Sequence, residues 1–123
     1  MIRLLFCVRR LASLTPDEFT AHWLDVHGPL VRERAALLGI RRYEQSHTVD
    51  SPIGAAMAGA RGSTNPYDGL ASLWFDSEEA LARSGSTPQA RAGAREILAD
   101  ERRFIDLAHS PLWMANDVTI VGR

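Results

Sequence analysis

At 123 residues and a net charge of −1, the chain is long enough to bury one core. It carries too little positive charge to hold nucleic acid or an anionic membrane surface by charge alone. Its single cysteine, Cys7, can close no internal disulfide and build no thiolate metal site by itself. All fourteen basic side chains are arginine, which reads as coding bias rather than chemistry. A single soluble, cytoplasmic domain over residues 1–123 is the expectation.

The N-terminal apolar run is too short to span a bilayer and lacks a small-residue cleavage site. It reads instead as a strand over Ile2–Arg9, with Ile2, Leu4, Phe6 and Val8 on one face. Thr15-Pro16-Asp17-Glu18 signals a helix start, with Thr15 as N-cap, Pro16 at the first helical position and Glu18 closing a capping box. Phe19, Trp23, Val26 and Leu30 then form an apolar stripe at helical spacing. Pro29 cannot donate to Asp25, so a break or kink is expected after His27, with helix resuming over Val31–Leu38 and ending at Gly39.

A second strand is expected over Ile40–Val49, placing Arg41, Tyr43, Gln45 and His47 on one face. The Gly-, Ala- and Ser-rich stretch from Ser51 to Pro66 is either partly helical near Ala55–Ala60 or a functional loop. Tyr67–Phe75 reads as a third strand, Asp76 or Ser77 caps a further helix, and Gly85-Ser86-Thr87-Pro88 restarts it towards Arg102 or Phe104. Asn116–Val121 is expected to be the last strand. This order predicts an α+β, ferredoxin-like βαββαβ fold, a four-stranded antiparallel sheet with helices on one face. The uncovered face predicts a homodimer closing a barrel between two sheets.

His27 lies on or beside the apolar stripe, and a partly buried imidazole is a candidate general acid–base group. His22 sits five positions earlier, about 140° around a regular helix, so the two should not share a metal; Glu18 and Asp25 are its expected neighbours. Trp23 is a core residue by spacing. Tyr43 can give an oxyanion a hydrogen bond, and Arg41 on the same face could take a carboxylate. His47 and His109 are read as surface residues. No dinucleotide, phosphate-loop, zinc-protease or nucleophile-elbow motif is present, so no cofactor and no metal are expected. The basic residues and stacked aromatics that an RNA-binding sheet needs are also missing.

Phe19-x-x-His22-Trp23-x-x-x-His27-Gly28-Pro29-Leu30, then Tyr43, Tyr67-Asp68-Gly69, Leu73-Trp74-Phe75 and Phe104-Ile105-Asp106 together resemble the EthD domain family. The resemblance covers nearly the whole chain. It implies a dimeric α/β barrel with a small-molecule cavity between helix and sheet. It also implies roles in small-molecule catabolism or polyketide tailoring. A methylmuconolactone isomerase of that family works without metal or organic cofactor. Its histidine and tyrosine fall on His27 and Tyr43, and its third-strand cysteine falls on Leu73, so the site carries over but not the reaction. The resemblance makes His27 and Tyr43 the catalytic pair and keeps His22 at the site; Trp23 and Trp74 as an apolar wall and Arg41 as a carboxylate-binding candidate complete the expected substrate-binding set, with the long segment 51–66 as the expected lid. Asp68 and Asp106 match family positions but suit turn capping equally. The expected activity is cofactor-independent isomerisation, cyclisation or dehydration of a lactone, ketone or aromatic polyketide. The alternatives are an oxidoreductase, such as a monooxygenase, or an accessory subunit of one, and a non-catalytic small-ligand-binding module.

Overall fold

The computed structural model describes residues 1–63 and 65–122. Four strands form one antiparallel sheet in the order β2-β3-β1-β4, the ferredoxin-like arrangement. Strand β1 (Ile2–Val8) lies in the middle. It pairs with β3 (Gly69–Phe75) from Ile2↔Phe75 to Val8↔Gly69, and with β4 (Leu112–Ala115) from Arg3↔Ala115 to Phe6↔Leu112. Strand β2 (Arg42–His47) forms the other edge against β3. The alternation read in β1 holds: Phe6 and Val8 are buried under the helices, with Ile2 and Leu4 packed beside them.

Helix α1 (Pro16–His22) begins with the expected capping box: Thr15 Oγ1 accepts the Glu18 N–H and Glu18 Oε1 accepts the Thr15 N–H. Of the break or kink expected after His27, no break occurs; the helix is instead locally widened. Residues Trp23–His27 form a π-helical turn, and the chain runs on directly into α2 (Gly28–Arg34). In that turn the Gly28 N–H bonds to Trp23 O, five residues back. Widening the turn shifts the hydrogen-bond ladder, so that Pro29, which has no N–H to give, enters the first turn of α2. Gly39, with φ +72°, turns the chain back towards β2, in the left-handed conformation that glycine tolerates best.

The segment after β2 is helical as α3 (Pro52–Ala60), capped by Ser51, and none of its residues is buried. None of the described residues in 51–66 lines the cavity or the groove described below, so the described part of the expected lid does not stand over them. Ser77 caps α4 (Glu78–Ser84) and Thr87 caps α5 (Pro88–Glu101). The last strand is Leu112–Ala115, not Asn116–Val121. By Ala115 the pairing has reached Arg3, almost the start of β1, and Asp117 turns aside to bind Arg3 at 2.7 Å. Too little of β1 remains to pair the rest.

The core has two centres. Phe6, Val8, Phe19, Trp23, Ala71, Phe104 and Ile105 form one, and Val31, Ile40 and Phe75 the other. Leu4, Tyr43 and Leu73 touch both, and the seam between them holds the site. Gly69 matters here because the Trp23 indole lies on its backbone. A Cβ at that position would stand 2.4 Å from Trp23 Cζ3 and 2.7 Å from Ser46 O.

Candidate active site

The π-helical turn and the end of α5 meet over the sheet. Asp100 lies between the two histidines: its Oδ1 takes His22 Nε2 at 2.9 Å and its Oδ2 takes His27 Nδ1 at 2.8 Å. Regular helix would separate these imidazoles. The widened turn brings residues five apart onto one side, so the expected separation of His22 from His27 is corrected. Glu18, an expected neighbour of His22, is instead committed to the Thr15 cap.

Burial pushes the Asp100 carboxyl up, but the hydrogen bonds from His27 and His22, with their charges, outweigh it and hold it below the usual aspartate range. Asp100 is therefore an ionised acceptor at neutral pH. A carboxylate can only accept, so His27 must carry its proton on Nδ1, leaving the Nε2 lone pair free. Burial holds His27 below its ordinary value, against the opposite pull of the Asp100 hydrogen bond and charge. The imidazole is thus a neutral base at pH 7. Its Nε2 hydrogen-bonds to no described residue; Glu101 Oε2 stands 4.0 Å away.

His27, Glu101 and Tyr43 face a cavity of about 40 Å³, whose remaining walls are apolar and include Phe6, Trp23, Ala71 and Leu73. The Glu101 carboxyl makes no hydrogen bond to any described residue. Burial first, and then the Asp100 charge, push it up to about 7, with Arg102 opposing.

Tyr43 is oriented from β2. Trp23 O is only an acceptor, so the Gln45 atom bonded to it at 2.8 Å must be Nε2. The other Nε2 hydrogen goes to Tyr43 Oη at 2.8 Å, and Gln45 Oε1 accepts from His47 Nε2 at 2.8 Å. Tyr43 therefore accepts from Gln45 and keeps its own O–H to donate. Burial raises its pKa, so it stays a neutral donor. On its other side Tyr43 walls an open groove of about 470 Å³ running between Leu24, Gly28, Arg32 and Ile40.

Of the residues singled out by sequence, the fold brings His27, Tyr43 and Trp23 together on the cavity and puts His22 behind Asp100. Arg41 is elsewhere: it lies at the groove edge with its guanidinium on Asp76 at 2.9–3.2 Å. Trp74 stands on the opposite face of the sheet from Leu73, between Arg3 and Arg42, and donates to Asp117. It cannot wall the cavity. His47 is no simple surface residue, since it stacks on Trp23 at 4.5 Å and anchors Gln45. Asp68 accepts the Arg10 N–H and Asp106 holds the exposed His109, so both serve local structure.

The sequence reading missed Asp100, Glu101 and Gln45. A signal for the first two was present: Ala90, Gly93, Ile97 and Phe104 recur at helical spacing, and Asp100-Glu101 falls on that same stripe. Two carboxylates on a buried stripe are unusual unless paired or functional. Among the described residues, no group of three or more His, Cys, Asp or Glu is placed to hold a metal, and no helix is long and apolar enough to cross a membrane.

Comparison with known proteins places the site in context. The EthD domain matches residues 11–108. No curated protein matches the chain in sequence. Among solved structures, an EthD family protein from Bacillus halodurans superposes with TM-score 0.62 at 18% identity, covering 96% of this chain and 100% of that one. An EthD-like protein from Ralstonia eutropha gives 0.63 at 18% identity, covering 99% and 94%. A dimeric ferredoxin-like protein of unknown function from Thermobifida fusca gives 0.57 at 17% identity, covering 93% and 88%.

Proposed function

Since this chain belongs to the EthD domain family, we propose that the cavity beneath its π-helical turn is an active site for acid–base chemistry on a small organic carbonyl compound. The observation that carries this reading is a free imidazole lone pair and a free phenol proton facing one apolar space. His27 Nε2 removes a proton from the carbon beside the carbonyl. The electron pair moves to the carbonyl oxygen, where the Tyr43 O–H meets the developing charge. Asp100 holds the tautomer and stabilises the imidazolium that forms. Isomerisation, cyclisation or dehydration of a lactone, ketone or aromatic polyketide all begin with this step.

The cavity holds little more than one water-sized group. A larger substrate therefore seats only its reacting end there, and its body lies in the groove beyond Tyr43. A histidine with both nitrogens bonded internally would instead favour a non-catalytic binding module, and His27 Nε2 is not so bonded.

A second copy is proposed to cover the open face of the sheet. Support comes from the dimeric relative, from Trp113 exposed on that face, and from the strongly exposed Val118, Ile120 and Val121 beyond it. Native mass spectrometry reads both the stoichiometry and any co-purified ligand.

The activity test is deuterium incorporation beside the carbonyl of 2-tetralone and of a γ-lactone in D2O. His27→Asn is expected to lower the rate by about 10²–10⁴-fold, and Tyr43→Phe by about 10²-fold. Rates unchanged by both variants overturn the reading, and substrate-dependent oxygen uptake would replace it with the oxidoreductase alternative.

A further inference from the structure

The His27–Tyr43 reading uses one base and one hydrogen-bond donor and leaves Glu101 without a role. Glu101 ends α5 directly after Asp100, and the two carboxyl groups part company there. Asp100 turns to the imidazoles, while Glu101 turns into the cavity, where its Oε2 stands 4.0 Å from the free His27 Nε2. Its side chain is only 18% exposed and has no hydrogen-bond partner among the described residues. A carboxylate so placed is costly, and a neutral carboxyl much less so. The polar groups facing it are His27 from the π-helical turn, Tyr43 from β2, and Asp100 and Arg102 from its own helix end. Strands β1 and β3 offer it only apolar side chains.

We infer that Glu101 is the second acid–base group of this site, so that the cavity accepts the uncharged carbonyl end of its substrate and moves a proton between two positions on it. This rests on the His27–Tyr43 reading and goes further by naming the reaction class. Two donors, Tyr43 and Glu101, and one acceptor, His27 Nε2, suit a neutral enolisable ketone or lactone. A carboxylate end would meet Glu101 with no cation lining the cavity to offset it.

The proton count closes. His27 Nε2 takes the proton from the carbon beside the carbonyl, and the C–H electron pair enters the enolate held by Tyr43. Glu101 then gives its O–H proton either to the far carbon of a dienolate, shifting the double bond into conjugation, or to a β-hydroxyl that departs as water. Imidazolium now faces carboxylate, and one proton crosses the 4.0 Å gap, directly or over a single water, to restore both groups. Burial lifts the Glu101 carboxyl to about 7, which keeps a proton available near neutrality.

The test pairs a titration with a split readout. In protein labelled with carboxyl-¹³C glutamate, one carboxyl is expected to titrate near neutrality, and that signal should vanish in Glu101→Gln. With cyclohex-3-en-1-one as probe, exchange beside the carbonyl needs only His27, whereas conversion to the conjugated enone needs both groups. Glu101→Gln should therefore lower the conversion by about 10²-fold more than it lowers the exchange. A Glu101 that titrates in the ordinary glutamate range, or a Glu101→Gln protein that converts the probe at the wild-type rate, overturns the inference and leaves the His27–Tyr43 reading standing. Exchange that survives His27→Asn breaks that reading instead and leaves the Glu101 titration unmoved.

Discussion

The two faces of the sheet treat their polar residues in opposite ways. Under the helices, Tyr43, Gln45 and His47 form one chain of hydrogen bonds ending on a backbone carbonyl, and two histidines share one buried carboxylate. On the open face Arg3 meets Asp117 and Arg42 meets Glu44, with Trp74 between the two guanidinium groups at 5.2 and 5.1 Å. Water reaches those pairs, so each contributes no more than about 1 kcal/mol and none is poised for chemistry. Reactivity arises where water is removed and only part of it is replaced by partners. Among the described residues, His27 has one nitrogen satisfied, Tyr43 has an acceptor filled and a donor free, and Glu101 has neither oxygen engaged.

The contrast can be broken first at Asp100. Asp100→Ala strips both imidazoles of their shared acceptor at a buried position and should cost about 4 kcal/mol in urea unfolding. The ¹⁵N signals of His27 should then report a mixture of tautomers in place of one. Gly69→Ala attacks the covered face from the backbone. The new methyl has nowhere to go between Trp23 and Ser46 O, and a loss of about 3 kcal/mol is expected, with a shift in tryptophan fluorescence.

Titration sharpens the comparison further. Between the ordinary glutamate value of 4.5 and about 7, folded Glu101 keeps a proton that the unfolded chain has released. Stability from this group is therefore full below 4.5 and is lost as pH rises towards 7, by on the order of 3 kcal/mol at most. His27 acts with the opposite sign: its folded pKa is depressed, so its contribution is lost as pH falls below 6.5. Subtracting the Glu101→Gln stability profile from that of the wild type isolates the first slope; a flat difference between pH 4.5 and 7 would contradict it. The smallest effect is expected on the open face. Trp74→Ala should cost about 1 kcal/mol and leave proton exchange unchanged, while weakening self-association in sedimentation.

Much of the covered face was legible in the chain. The alternation in β1 and the Thr15 capping box are local patterns, and each formed as read; of the helical stripe, Phe19 and Trp23 are buried, but the π-helical turn rotates Val26 out to solvent. His27 and Tyr43 were picked out by residue type and by resemblance, and the fold places both on one cavity. Trp74 shows the limit of that approach: its motif neighbours are right, but the two-residue period of the strand sends it to the other face from Leu73. Asp100 and Glu101 were passed over because helix-end carboxylates look solvated until the stripe beneath them is traced.

The sequence by itself determined the βαββαβ order of the main elements, the Thr15 cap and which side of β1 meets the helices, because those depend on residues a few positions apart. Tertiary structure decided the rest. Asp100 reaches His22 and His27 across 78 and 73 positions, and only packing of α5 against the widened turn joins them. The end of β4 was set by how much of β1 remained to pair, which the Val118–Val121 pattern could not know. Above all, the π-helical turn changed the angular spacing that separates His22 from His27 in a regular helix. Backbone hydrogen bonding chose that turn around Pro29, and the choice put both imidazoles on one carboxylate.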